Sequence, residues 1–560
     1  PNRSRRHRGT IRHRGREAEE PPAGDDGRLE SVRADPVRLE LYHHRFTAIA
    51  EQMGVRLQRS SRSVNIRERL DFSCALFDGQ GRLVANAPHI PVHLGSMGES
   101  VGALLAAIGR GERPPLGPGD VIAANDPFHG GTHLPDVTVI TPVFSPAGGA
   151  GPVAFVACRG HHADVGGITP GSMPAFSRRI EEEGLLLDNV PLLVGGRWDG
   201  EAWLQRCLAG PYPVRDPGRF LADLRAQVAA NQLGLEELGR LMAEEGIEEV
   251  LAYMGHGRHQ AAEAVRGVIG RLADGQHSVE LDCGARIVVA VRVNRRARRA
   301  RVDFTGTSPQ LANNLNAPLA ITKAAVMYVF RTLVDQPLPL NAGCFDPLEL
   351  VVPESSLLWP KPPAAVVAGN VETSQAVVNA LYGALGVMAA AQGTMNNLSF
   401  GDGERQYYET ICGGAGAGRD RDGTGFAGAS AVQTHMTNSR LTDVEILEER
   451  FPVRLERFQI RQGSGGAGRW RGGDGVERWL RFLAPQTVCL LSGSRRVPPF
   501  GLAGGEPGQP GENGIQRAGG AWEPLAGRAQ VEMGAGDLLR IATPGGGGFG
   551  AADASANNVR

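Results

Sequence analysis

Residues 126–164 hold four histidines and three aspartates in two groups. Asp126, His129, His133 and Asp136 sit in NDPFHGGTHLPDV, and His161, His162 and Asp164 follow the apolar run PVAFVACRG. Neutral imidazoles and carboxylates are ligands for Zn, Mn or Fe, and turn-rich segments at strand ends can aim several of them at one point. The competing reading is that His and Asp in Gly-rich turns only hydrogen-bond backbone amides. That reading suffices for any single residue, but the density of the whole constellation favours a bound metal. Asp71, which opens the apolar run FSCALFD, is a further carboxylate that could join; alone it reads as a solvated strand start.

Other chemistries find less support. GSGGAG at 463–468 matches GxGxxG, but RWRGGDG follows it where a phosphate-binding helix should begin. PGGGGFG at 544–550 reads as a turn or an interface. There is no GxxxxGK[ST], and Cys158 in its strand context reads as a small buried hydrophobe. The polar run QTHMTNSRLTD, 433–443, reads equally as a loop or as a cleft wall, on which His435, Asn438 and Arg440 would recognise a carbonyl and a carboxylate.

These residues need a scaffold. Asp35-Pro36 is a helix start, and Leu39, Tyr42, Phe46, Ile49, Met53 and Leu57 recur at steps of three and four. From Asp71 to about Val165, short apolar runs separated by Gly, Pro and Asn predict a sheet. Helical periodicity returns across 218–275, strands follow from Ser278, and Ala376–Ala391 reads as a helix. The fold class is therefore α+β, with extensive sheet and a β-rich C-terminal part. The expected organisation is a disordered segment over 1–34, a core bearing the candidate site over 35–401, and a Gly-rich unit over 402–560.

Composition removes whole classes of partner. A chain of 560 residues builds roughly two to four packed units. A net charge of −1 leaves no cationic surplus for a phosphate backbone, so nucleic acid is excluded. No uninterrupted apolar run has the length of a membrane span, and the start shows no signal-peptide pattern. Seven scattered cysteines without a CxxC pair fit a reduced, cytoplasmic setting.

The same blocks carry a resemblance to the hydantoinase B/oxoprolinase family. They are NIRERLDFSCALFDGQGRLVANAPHIPVHLGSMG, NDPFHGGTHLPDVTVITPVF, RGHHADVGGITPGSMP, AGNVETSQ, QTHMTNSRLTDVEILEERFPV, GSGGAGRWRGGDG and TPGGGGFG, in one order from about residue 35 to 550. The resemblance implies ATP-dependent hydrolysis of a cyclic amide: a hydantoin, 5-oxoproline or a lactam. It implies a divalent metal, Zn or Mn, held by Asp71, His133, Asp136 and one histidine of RGHHAD, with His161 preferred and His162 open. His133, Asp136 and His161 would be catalytic, and Asp126, His129 and Asp164 would orient the ligands. ATP with Mg would be used on a separate A-type subunit in an (αβ)2-like hetero-oligomer, with no site for ATP on this chain. A carboxylase resembling the acetone type is the nearest alternative, and a non-catalytic structural subunit is a third.

Overall fold

The computed structural model describes residues 32–552 except 88–89, 147, 150, 336, 339 and 421. Residues 1–31, most of the segment expected to be disordered, lie outside the described residues.

Helix α1, Pro36–Ser60, starts where Asp35 accepts the Arg38 amide and Pro36 occupies the first turn. Its Tyr42, Phe46, Ile49, Met53 and Leu57 stripe is buried, as the periodicity predicts. The sheet that follows comprises β1 (Phe72–Asp78), β2 (Leu83–Asn86), β3 (Val121–Ala124), β4 (Asp136–Val143), β5 (Ala154–His161) and β6 (Val190–Leu193), ordered β2-β1-β5-β4-β3-β6. All of its pairings are antiparallel.

Two helical layers sandwich this sheet. Cys74, Leu76, Val137, Val139, Val156 and Cys158 pack against α1 and α3 (Pro217–Glu245). Ala75, Phe77, Ile140, Phe155 and Ala157 pack against Met97, Val101 and Leu104 of α2 (Pro91–Gly109). By length and composition α2 is apolar enough to cross a membrane. Here it serves as a core helix, with Gly95 so close to Ala324 that a Cβ would stand 2.4 Å from the Ala324 Cα.

The helical region expected over 218–275 is α3 followed by α4, Ile247–Ile269. Strands β7 (Gly275–Glu280), β8 (Arg286–Asn294), β9 (Arg299–Asp303) and β10 (Leu348–Val351) form a second sheet, with β9 and β10 parallel. Helix α5 spans Leu319–Thr332. The helix expected over Ala376–Ala391 is α6, Ser374–Leu385, and it stops early because Gly386 turns left-handed at φ 66°. A single π-helical turn, Gly369–Thr373, leads into it.

The remainder is β-rich, which completes an α+β architecture. Strands β11 (Asn397–Gly401), β12 (Gln406–Glu409), β13 (Val453–Arg461), β14 (Gly475–Phe482), β15 (Gln486–Leu491), β16 (Glu512–Gln516), β17 (Trp522–Leu525), β18 (Arg528–Met533) and β19 (Leu538–Ala542) make two sheets, β12-β11-β15-β18 and β13-β14-β19-β16-β17. The boundary expected at 401/402 falls between the paired strands β11 and β12.

The glycines at 545–548 of PGGGGFG are buried, so this stretch belongs to the interior and is not a surface turn. They interlock with GSGGAG and the RGGDG that follows it through backbone bonds, Gly466 N to Gly546 O at 2.8 Å and Gly546 N to Gly473 O at 2.9 Å. A Cβ at Gly546 would stand 1.9 Å from the Ala415 carbonyl oxygen, so the layers can approach only without side chains. Gly546→Ala is expected to cost about 3 kcal/mol of stability through overpacking, read as a lower urea midpoint at unchanged slope.

Candidate metal centre

The site follows from strand parity. Successive strand residues face opposite sides of a sheet, and residues directly opposite across an antiparallel pair share a side. Asp136 of β4 pairs with His161 of β5, and Phe72 of β1 pairs with Gly160. Asp71 is therefore level with His161, whose amide donates to the Asp71 carbonyl at 3.0 Å. Asp71, His161 and Asp136 form one row on the α2 side of the sheet.

By the same parity His162 turns to the opposite side. Its Nε2 lies 3.0 Å from Gln227 Oε1 of α3, and its ring packs on Phe220 at 4.8 Å. The structure thus brings His161, and not His162, to the aspartates.

His133 joins from the turn that leads into β4. Its Nε2 stands 3.0 Å from Asp136 Oδ1, and His161 Nδ1 stands 3.1 Å from the same oxygen. The candidate ligand atoms of His133, Asp136 and His161 all lie within 4.8 Å of one another, and all three residues are buried.

The second carboxylate oxygen is held from the other side. Asp136 Oδ2 accepts from the Thr132 hydroxyl at 2.8 Å and the Asn370 amide at 3.0 Å, with His93 Nε2 at 3.2 Å. Oδ1 is left facing the two imidazoles. Burial pushes the Asp136 carboxyl up, but His133 and His93 outweigh it and hold the group well below the usual carboxylate range, so it is ionised.

His133 Nδ1 faces the Val367 carbonyl at 3.3 Å, and His161 Nδ1 faces a carboxylate oxygen. The Val367 carbonyl cannot donate, so His133 Nδ1 carries the hydrogen of that contact, while His133 Nε2 and His161 Nδ1 stand 3.0 and 3.1 Å from Asp136 Oδ1, the spacing of neighbouring ligands around one cation. Burial lowers the His161 pKa, which favours its neutral ring. His133 Nε2 and His161 Nε2 are buried and make no hydrogen bond of good geometry. Two buried imidazoles converging on one oxygen of an ionised carboxylate fit a divalent cation of the Zn or Mn kind.

Around this group stand residues that sequence reasoning missed. His93 of α2 lay in the quoted HIPVHLGSMG block, and Asn370 lay in AGNVETSQ, but nothing local marks either as a contact of Asp136. Tyr408 stacks on His161 at 4.5 Å, and the Arg69 guanidinium lies over the other part of the stack, 4.9 Å from the Tyr408 ring. Glu183 accepts the Val366 and Val367 amides, each at 3.1 Å, and so anchors the carbonyl that orients His133.

Several expected positions lie elsewhere. Asp71 shares the row, but it stands outside the compact group, and its Oδ2 is 3.4 Å from Arg69 Nη1. Asp126 and His129 do not orient the ligands: they form a separate group with Asp188, and His129 is half exposed. Asp164 is taken by Arg215 at 2.9 Å and by the Gly166 and Gly171 amides. The cause is chain direction in each case, since turns at 126–129 and 164–171 lead away from the β4–β5 row.

The cleft-wall residues also scatter. His435 is buried, with Nε2 3.1 Å from Asn379 Oδ1. Asn438 and Arg440 are exposed, and the Arg440 backbone exchanges hydrogen bonds with Arg69.

The architecture is shared with two solved ATP-dependent enzymes. It superposes on the caprolactamase of Pseudomonas jessenii with a TM-score of 0.80 at 24% identity, covering 93% of this chain and 92% of that one. It superposes on the nucleotide-free structure of acetone carboxylase with a TM-score of 0.81 at 19% identity, covering 93% and 76%. Residues 35–552 match the hydantoinase B/oxoprolinase family, and the chain belongs to that family. It is 45% identical over 553 residues to 5-oxoprolinase 1 of Arabidopsis thaliana, covering 94% of this chain but 43% of that protein. The chain thus spans less than half the length of this curated relative.

Proposed function

We propose that this chain is the metal-bearing B-type part of an ATP-dependent cyclic amide hydrolase of the cytosol, acting on 5-oxoproline, a hydantoin or a related lactam. The observation that carries the reading is the convergence of His133, Asp136 and His161 with two unpartnered imidazole nitrogens. The 5-oxoprolinase and caprolactamase relatives support the substrate class.

In this reading His133 Nε2, Asp136 Oδ1 and His161 hold the cation, and Asp71 stands by on the same row. Bound there, a divalent metal supplies Lewis acidity toward a water or an amide carbonyl. The protein's part is orientation. Thr132, Asn370 and His93 fix the Asp136 carboxylate, Val367 fixes His133, and Tyr408 closes the His161 face against water.

ATP would be spent on an A-type portion. The sequence reading expects it on a separate subunit, but the 5-oxoprolinase relative is more than twice as long as its matched part, so a fused arrangement fits equally. A metal bound as proposed distinguishes the adjacent histidines. His161→Gln should weaken metal binding about 100-fold, whereas His162→Gln should leave the metal-to-protein ratio unchanged, both read by elemental analysis after dialysis.

Hydrolysis is tested with the ATP-binding portion present. Ring opening should require ATP, vanish after chelation and return with Zn or Mn. Incorporation of labelled bicarbonate into a new carboxylate would replace this reading with the carboxylase one, and a purified chain without stoichiometric metal would replace both with a structural role.

A further inference from the structure

A cavity of about 1060 Å³ lies between the second sheet and the C-terminal strands, across a thin wall from the candidate metal centre. Volumes of this order hold small-molecule ligands. Exposed Phe176 and Trp522 stand on its walls, and Glu372, Arg495 and Arg528 line it.

The wall is made of hydrogen-bonded side chains. Tyr408, stacked on His161, donates to Asn397 Oδ1 at 2.8 Å, and Asn397 Nδ2 donates to Glu372 Oε1 at 2.7 Å. Glu372 and Asn370 belong to the same π-helical turn, so one short segment touches the cavity with one side chain and Asp136 with another.

Among the described residues, two of the guanidiniums that line the cavity hydrogen-bond to neutral groups, with Glu372, Asp282 and Glu512 acting on Arg495 only through space. Arg495 donates from Nη1 to Asn396 Oδ1 at 2.8 Å and to the Gly493 carbonyl at 2.7 Å, and from Nη2 to Asn513 Oδ1 at 3.1 Å. All of these acceptors are neutral, and its Nε is sealed from solvent without a hydrogen bond. Arg528 reaches only the Asn314 side chain, at 3.3 Å, beside the Phe176 ring. Among the described residues neither guanidinium pairs with a carboxylate, although other cavity arginines do, Arg540 with Glu477 and Glu512 among them.

Glu372 faces the same space. Its Oε2 is buried near Thr394 and Gly493 but makes no hydrogen bond of good geometry, and burial pushes the carboxyl up to about 8. A neutral carboxyl there offers both a donor and an acceptor, which an amide N–H and C=O can satisfy.

We propose that this cavity binds a small oxyanion-bearing ligand, with Arg495 and Arg528 taking the anionic oxygens and Glu372 an adjoining amide. A guanidinium without a carboxylate partner is complementary to a carboxylate or a phosphoryl group, and its planar fork favours both over a neutral ring. The oxyanion is either the carboxylate of an acidic lactam or a phosphoryl group delivered with an activated one. The choice of lactam rests on the hydrolase reading above; the anion site rests on the cavity.

Calorimetric titration of the purified chain with 5-oxo-L-prolinate, inorganic phosphate and neutral 2-piperidinone tests this. At least one anion should bind, and Arg495→Met should weaken that anion about 30-fold, the loss of charge-assisted hydrogen bonds, while affecting 2-piperidinone little. Ala526→Trp places bulk on an exposed part of the lining, so it should lower anion affinity without lowering the melting temperature and serves if Arg495→Met unfolds. Loss confined to phosphate identifies a phosphoryl group, and loss with 5-oxo-L-prolinate identifies the substrate carboxylate. Failure of both anions to bind, or affinity unchanged in the variants, overturns the proposal. Metal content and ATP-dependent ring opening of the same preparations report separately on the hydrolase reading, which can fail with the anion site intact and survive its loss.

Discussion

Exchange of His133 for alanine is expected to remove bound divalent metal and to lower ATP-dependent ring opening about 1000-fold, because a site of three clustered ligands loses one nitrogen and the carboxylate loses a facing ring. His133 is the candidate ligand best prepared by its surroundings. The Val367 carbonyl takes its Nδ1 hydrogen, the Glu183 carboxylate holds the amides of that segment, and Nε2 is left without a hydrogen bond 3.0 Å from Asp136 Oδ1. Removing the ring leaves Asp136 Oδ2 held by Thr132 and Asn370, so the carboxylate keeps its orientation while the site loses a ligand. Elemental analysis, turnover and a melting curve measured together check this. Full metal and full turnover in a folded H133A protein would remove the proposed centre.

The largest loss of stability is expected away from the centre, at the ion pair between Arg478 of β14 and Glu409 of β12. The guanidinium donates from Nε to Oε1 at 2.7 Å and from Nη2 to Oε2 at 3.0 Å, with both side chains almost fully buried. The Tyr407 hydroxyl completes the shell, donating to Glu409 at 2.9 Å. Such a pair gains little over an apolar contact of the same shape, but breaking it strands a charge without water. Arg478→Leu should therefore cost about 4 kcal/mol, read as a lower denaturant midpoint, and Arg478→Leu with Glu409→Leu should recover much of it. A single variant as stable as the parent would show that Glu409 finds other partners or solvent.

Tyr408, next to Glu409 on β12, faces the candidate metal centre and stacks on His161. Loss of the pair should therefore also loosen the wall between cavity and centre, so turnover should fall along with stability. No such coupling is expected for Gly546→Ala, whose clash lies within the glycine layer.

The residue types for a metal centre, its two sequence blocks and the elements carrying them were legible in the chain. The stripe of α1, the apolar runs of β1, β4 and β5, and the helical periodicity of α3 and α4 are local patterns, set by backbone periods of 3.6 and 2 that each segment expresses alone. The same period of two guarantees that adjacent histidines on a strand point apart, so that only one of His161 and His162 could face a given site.

Which of the two it would be was decided by packing. The row Asp71, His161 and Asp136 depends on the β1-β5-β4 order and its register, and its side depends on which helices cover each face. His93, Asn370 and Tyr408 come from distant segments, and Arg69 draws on Asp71. Asp126, His129 and Asp164 lie close in sequence but are carried off by their turns. Amino-acid chemistry and backbone periodicity belong to each stretch by itself. Strand register and the closure of a buried polar cluster are long-range choices, settled only when distant segments pack together in the assembled core.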